Sequence, residues 1–334
     1  MKHLIQSHCH RAATHLATFK PSHSLFQTIR KAKRNYPKRH MSPLHDILHI
    51  SRIDSNNMET IDPHPRHLCW KPPFNIQIAQ SKEEACEADR DNKADIRIYS
   101  DSSGRDGRIG VAAIMKFGFR VLRKARFYLG RSNKLTVFEG KCIGQLLGLK
   151  LLQSSGFDLN GREVSLGIDS QVAIIRHNAR SNAPAAYIIN EIHRTVYDLT
   201  KAFPRLKITF RWTPGHAGLA GNEEMHVKAK KAAAGAHHNV NSNFSILRRP
   251  LPISRSAHRQ TLRNEITAKY QREFWLSDKY QRFIRVDPSM PSNRYRKLIA
   301  ELPRRFVSIL TQLQTNHVPL QAYLHKFKLA DSPL

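Results

Sequence analysis

At 334 residues with 40% hydrophobic content, the chain is long enough for about two domains and fills at least one ordinary core, which excludes a peptide or a bare tail. Lys and Arg number 55 against 26 Asp and Glu, a formal charge of +29 too large to be neutralised internally; it points to a polyanionic partner, nucleic acid ahead of an anionic membrane surface. The four cysteines, Cys9, Cys69, Cys86 and Cys142, form no CxxC pair, so they signal neither a zinc knuckle nor a disulfide framework and fit a reducing compartment.

No apolar run approaches the roughly 18 to 20 residues that span a bilayer, so no membrane partner is expected. The opening "MKHLIQSHCHRAATHLATFK" is basic, acid-free and amphipathic, a pattern shared by mitochondrial transit peptides and simple basic helices; a nuclear or cytoplasmic location is preferred to a mitochondrial one. Charge is uneven: residues 1–45 hold nine Lys/Arg and no acid, and residues 241–334 hold 17 against six. The expected organisation is a basic arm and acidic linker over 1–93, a mixed α/β domain over 94–236 and a basic, mostly helical region over 237–334.

In chain order, a helix is predicted near 3–19, followed by the basic run "RKAKRNYPKRH" and a Pro- and His-rich stretch ending "DPHPRHLCWKPPF", together an extended arm. "SKEEACEADRDNKAD" is an acidic linker or short helix. "DIRIYSD" alternates as a strand, and the segment from Ser102 to Gly130 supplies two more strands in a meander. Thr136 is a plausible N-cap for a helix over 137–154 whose stripe is Ile143, Leu146, Leu147 and Leu151. "EVSLGID" is a fourth strand, leading into a short helix near 170–178. Ile188, Ile189, Ile192, Val196 and Leu199 mark another helix. "LKITFRW" is a fifth strand, and "WTPGHAGLAGNEEMHVKAKKAAAG" turns into a closing helix that opens on Asn222. These elements predict a mixed five-stranded sheet with flanking helices.

Three acids fall at telling places. Asp101 ends the first strand, where turn chemistry is the plain reading; Asp169 ends the fourth, where an N-cap is the plain reading; Glu139 sits in the first turn of a helix, where a solvated Glu is ordinary. If the two strands are neighbours and the helix packs over their edge, all three meet. Clustered carboxylates repel unless they hold hard divalent cations, and two such ions roughly 4 Å apart activate water and stabilise the leaving oxygen in phosphodiester hydrolysis.

"IYSDSSG", "TVFEGKCIGQLLGL", "LGIDSQVAI" and "WTPGHAGLAGNEEMHVKAKKAA", in this order, resemble the signature blocks of type 1 ribonuclease H domains. The resemblance implies a ribonuclease H-like fold, cleavage of the RNA strand of RNA:DNA hybrids, Mg2+ as cofactor, Asp101, Glu139 and Asp169 as catalytic metal ligands, and His216 as a proton shuttle or product-release residue. The family block reads Gly-Asn-Glu-x-x-Asp, so His226 stands where a fourth carboxylate belongs. An imidazole there still ligates a divalent ion but brings no negative charge and suits Mn2+ better. Glu223 is one turn away and in position to pair with it, while Glu224 points to another face.

The flanking "CHRAATHLATFKPSHSL", "KRHMSPLHDILH", "RHLCWKPPFNIQIAQSKEEA" and "TQLQTNHVPLQAYLHKFKLADSPL" look like segments around this domain in fungal LINE-type retrotransposon polyproteins. The expectation is a C-terminal fragment of such a protein, with an element's reverse transcriptase as partner in trans. Between Arg176 and Ala183 only "RHNARSNA" offers a basic handle, so further grip on nucleic acid is expected from Arg30 to Arg39 and Arg248 to Arg305, with Trp275 and Tyr280 as stacking residues. Two functions follow: a metal-dependent ribonuclease H, and a nucleic-acid-binding module impaired in catalysis by His226.

Overall fold

The computed structural model describes residues 2–34, 41–51, 53, 57–62, 70–118, 120–179, 183–235, 245–278, 280–281, 284, 288–289, 294–315, 318 and 320–333. Cys69, the tail of the first basic run at 35–40 and positions 180–182 of "RHNARSNA" lie outside the described residues. The chain forms two compact units, Met1–Leu262 and Arg263–Leu334.

The first unit begins with α1 (Lys2–Leu16), at the helix predicted near 3–19, followed by α2 (Phe26–Arg34) and α3 (Pro43–Ser51) within the stretch read as an extended arm. Helix α1 packs on α3 and buries Ala13 and Thr14, so its apolar positions are used locally rather than left as a solvated tail. Strand β1 (Asn75–Gln77) and helix α4 (Lys82–Arg90) follow. Ser81 caps α4 by accepting from the Glu84 amide, and Glu84 reaches back to the Gln80 amide. Next come β2 (Ile96–Arg105), β3 (Arg108–Phe117), β4 (Arg120–Arg131), α5 (Val137–Gln153), β5 (Glu163–Ile168), α6 (Gln171–Ile175), α7 (Ala186–Ala202), β6 (Lys207–Trp212) and α8 (Ala220–Ala233). Helix α9 (Arg255–Trp275) runs across the unit boundary, and α10 (Arg294–Ala300), α11 (Arg304–Thr315) and α12 (Gln321–Lys326) belong to the second unit.

The sheet has the order β1-β6-β5-β2-β3-β4. Strands β2, β3 and β4 form the expected antiparallel meander, while β5 runs parallel to β2, β6 parallel to β5 and β1 parallel to β6. This mixed sheet with helices on its faces is the ribonuclease H-like α/β architecture, with six strands rather than five. The additional strand, β1, comes from a stretch of three residues with no period long enough to read.

Helices α5 and α7 cover one face, enclosing Ile98, Val111, Leu166 and Phe210 with Leu146, Ile188 and Ile192; α8 covers the other, placing Met225 and Ala229 on Tyr99, Ala112 and Ile114. Gly140, Gly144 and Gly148 let α5 lie close against the side chains of β2. A Cβ at Gly140 would stand 2.8 Å from the Ser102 Cβ and one at Gly148 would stand 2.6 Å from Ile98 Cγ2.

Residues from both flanks clasp this core. Met58 and Ile253 form a parallel bridge, and the buried Glu59 accepts hydrogen bonds from the amides of Ala185 at 2.8 Å and Arg255 at 2.7 Å. Ala185 is a buried non-glycine residue at φ 66, and the Glu59 contact helps hold it there. Burial raises the Glu59 carboxyl above its ordinary value of 4.5 against the pull of those two amides. Its raised folded value gives a stabilisation that is complete below about pH 4.5 and declines as pH rises through the folded value. Glu59→Gln leaves one acceptor facing two converging donors and is expected to cost about 1–3 kcal/mol at pH 7 while removing that pH slope; urea midpoints at pH 5 and 7 check both.

In the second unit, Trp275 is 49% exposed, as a stacking residue requires, whereas Tyr280 lies edge-on to Phe274 with ring centroids 5.5 Å apart. Among the described residues, no helix is long and apolar enough to cross a membrane.

Candidate functional site

Strands β2 and β5 are adjacent and parallel with Ser100 beside Ile168, so the residues that follow, Asp101 and Asp169, become neighbours; Asp101 lies inside β2, which continues to Arg105 in its pairing with β3, rather than at the strand's end as expected. Asp101 is 3% exposed on β2, and Asp169 directly follows Ile168, the last residue of β5. Both line a cleft of about 230 Å3 together with Lys141, His216, Glu223 and His226.

The third residue to reach the two aspartates is a lysine. Lys141 Nζ donates to Asp101 Oδ1 at 3.2 Å and to both Asp169 oxygens at 2.5 Å. Only 18% of its side chain is exposed, so this is a largely desolvated ion pair in which one ammonium bridges two carboxylates.

Glu139 does not join them, which corrects the expected acid triad. Its carboxylate accepts from the Thr136 amide at 2.7 Å and from the Thr136 hydroxyl, closing a capping box on α5, and from Ser254 Oγ at 2.6 Å. The physical reason is helical geometry: residues 139 and 141 are about 200° apart around the axis, so when one turns toward the cap the other faces the strand ends. Thr136-x-x-Glu139 is itself the capping-box pattern, and it was the signal in the sequence that this glutamate is engaged by its own helix. Lys141 was the residue that sequence reasoning missed.

His226 reaches the site from the opposite face of the sheet edge. Its Nδ1 lies 2.9 Å from Asp101 Oδ2; since an ionised carboxylate only accepts, Nδ1 carries the proton and donates, leaving Nε2 free of that contact. It therefore pairs with Asp101 rather than with Glu223. Glu224 is turned away, as expected, and bonds Lys124 at 2.7 Å. Helix α8 starts at Ala220, two residues ahead of the expected Asn222; the Asn222 side-chain Nδ2 instead donates to the Pro214 carbonyl at 3.3 Å and pins the loop before it. That loop carries His216 at φ 55, a left-handed conformation uncommon for a non-glycine residue, and sets its ring against His226 with centroids 4.8 Å apart at 87°.

Burial raises the Asp169 carboxyl above its ordinary value; Lys141 pulls it back and Asp101 pushes it further up. The single ammonium compensates one of the two carboxylate charges from a fixed position between them. Such a donor set does not fit a pair of divalent ions. Lys141 stands where a cation bridging Asp101 and Asp169 would be held, His226 supplies no negative charge, and Glu139 is turned elsewhere. Among the described residues, no group of three or more His, Cys, Asp or Glu is arranged to hold a metal ion. Geometrically, the expected ligands Asp101, Asp169 and His226 come together, and Glu139 does not.

No protein-family model and no curated protein sequence matches the chain. Among solved structures it is similar to RNase H1 from the halophilic archaeon Halobacterium salinarum NRC-1, at 17% identity over 42% of this chain and 98% of that one, with a TM-score of 0.33. It is similar also to the N-terminal RNase H domain of a Mycobacterium tuberculosis protein, at 20% identity over 43% of this chain and 96% of that one, with a TM-score of 0.34. A third is LC11-RNase H1, solved in complex with an RNA/DNA hybrid, at 18% identity over 41% of this chain and 98% of that one, with a TM-score of 0.33. Each neighbour is covered almost completely, while more than half of the present chain lies outside the match.

Proposed function

We propose that the chain is a ribonuclease H-like, retroelement-derived module that binds RNA:DNA hybrids and does not carry out two-metal hydrolysis. The observation that carries this reading is the Lys141 ammonium bridging Asp101 and Asp169 where divalent ions would have to sit. The charge of +29 supplies the electrostatic attraction for phosphates, and the basic flanks with the exposed Trp275 add contacts outside the cleft. The signature blocks and flanking segments support derivation from a retroelement polyprotein, with the element's reverse transcriptase as the partner in trans.

Metal-dependent cleavage in Mg2+ or Mn2+ is the second reading, supported by the adjacency of Asp101 and Asp169 and by His216 at the rim of the same cleft. A labelled RNA:DNA hybrid incubated in Mg2+, in Mn2+ and in EDTA separates the two. The binding module retains the hybrid uncleaved in all three, with affinity falling linearly in log–log form as salt rises. Cleavage in either metal that vanishes in Asp101→Asn establishes the enzyme and overturns the first reading.

A further inference from the structure

We infer that Lys141 is a built-in cation, so that the cleft meets the phosphates of a hybrid in a state that neither needs nor accepts a divalent metal. The inference rests on the binding reading above and deepens it by assigning how the site keeps its charge balance.

The aspartates make a cation necessary. Asp101 is 3% exposed and Asp169 18%, and both press toward one point; left alone, they would repel each other and resist ionisation. In this chain the cation is covalently attached. Gly140 allows α5 to touch β2, and the next residue sends its side chain over that contact to the strand ends, with Nζ within 3.2 Å of both carboxylates. His226 adds a donor to the remaining Asp101 oxygen without adding a third carboxylate.

The charge count agrees. Relative to acids at both places, a lysine at 141 and a histidine at 226 move the cleft by at least about three units toward positive, close to the roughly four units that two divalent ions supply. A carboxylate cleft repels a phosphate backbone until metal is bound. Here the ammonium has already offset part of that repulsion, and His216 and His226 line the same cleft.

The test is metal response measured on the full chain. Isothermal titration of MnCl2 and thermal unfolding with and without MgCl2 are expected to show no stoichiometric binding and no shift in Tm for the wild type. Its affinity for a labelled RNA:DNA hybrid is expected to be the same in EDTA and in MgCl2 at matched ionic strength. Lys141→Met exposes the pair Asp101 and Asp169 with His226 as a vacant donor set. Its Tm is expected to fall by several degrees in EDTA and to recover in MnCl2, with one ion bound, while Lys141→Arg keeps the charge and stays metal-indifferent.

Stoichiometric Mn2+ binding by the wild type overturns the inference, as does a hybrid affinity that collapses in EDTA. Both of those readouts use the unmodified chain and so do not depend on how well a variant folds. Absence of hybrid binding under every condition sinks the proposed function instead, and the metal titration still decides the role of Lys141.

Discussion

The double variant Lys141→Glu, His226→Asp is expected to cleave the RNA strand of an RNA:DNA hybrid in Mg2+, at a rate at least ~10²-fold above the wild type. Each tenfold in rate is about 1.4 kcal/mol, and a metal ion that activates water or stabilises the leaving oxygen supplies several. The two substitutions have unequal roles. His226→Asp alone adds a carboxylate but leaves the Lys141 ammonium between Asp101 and Asp169, so it is expected to remain inactive. Lys141→Glu alone removes the ammonium and brings a third acid, with His226 as a neutral fourth ligand; activity is expected to be weak and stronger in Mn2+ than in Mg2+. Gel analysis of end-labelled RNA at matched Tm checks the series. A double variant that folds and binds hybrid yet cleaves nothing would show that more than these two residues separates the site from hydrolysis. Restoration by His226→Asp alone would show that Lys141 yields its place to metal.

Gly110→Ala is expected to destabilise the first unit by at least about 3 kcal/mol, the upper end of the cost of overpacking. The added Cβ would stand 2.2 Å from the Ala229 carbonyl oxygen, 2.2 Å from the Ala233 amide nitrogen and 2.7 Å from the Ala232 carbonyl carbon. All three belong to the backbone of α8, so no side chain can rotate aside; the helix itself must lift from β3. Helix α8 also carries His226, and Met225 and Ala229 seal the face over Tyr99, Ala112 and Ile114. The variant therefore loses packing and the His226 to Asp101 contact together. Gly104→Ala is the control, since its Cβ meets Val137 Cγ2 at 3.4 Å and Arg108 O at 4.0 Å, ordinary contacts; its expected change is within about 0.5 kcal/mol. Urea midpoints compare the pair, and equal midpoints would mean that α8 is not seated on Gly110 as described.

The sequence by itself determined the architecture of the central region, because that information is periodic and local. The meander of β2, β3 and β4, the stripe of α5 and the run of isoleucines in α7 each encode burial on one face, and burial is what folds them. It also placed Asp101 and Asp169 so that they meet if their two strands are adjacent, and the parallel pairing of Ser100 with Ile168 supplies that adjacency. Less local features were not legible. Strand β1 has three residues, and the clasp of Glu59 with Ala185 and Arg255 joins positions 126 and 196 residues apart, which no local pattern announces. The tertiary structure alone decided which residue of α5 completes the site. Glu139 and Lys141 are two apart in sequence and on nearly opposite sides of the helix, so the rotation of α5 on its glycine stripe selects between them. That rotation turned the glutamate to Thr136 and Ser254 and the lysine to the aspartates, placing a fixed positive charge where the sequence had suggested a third negative one.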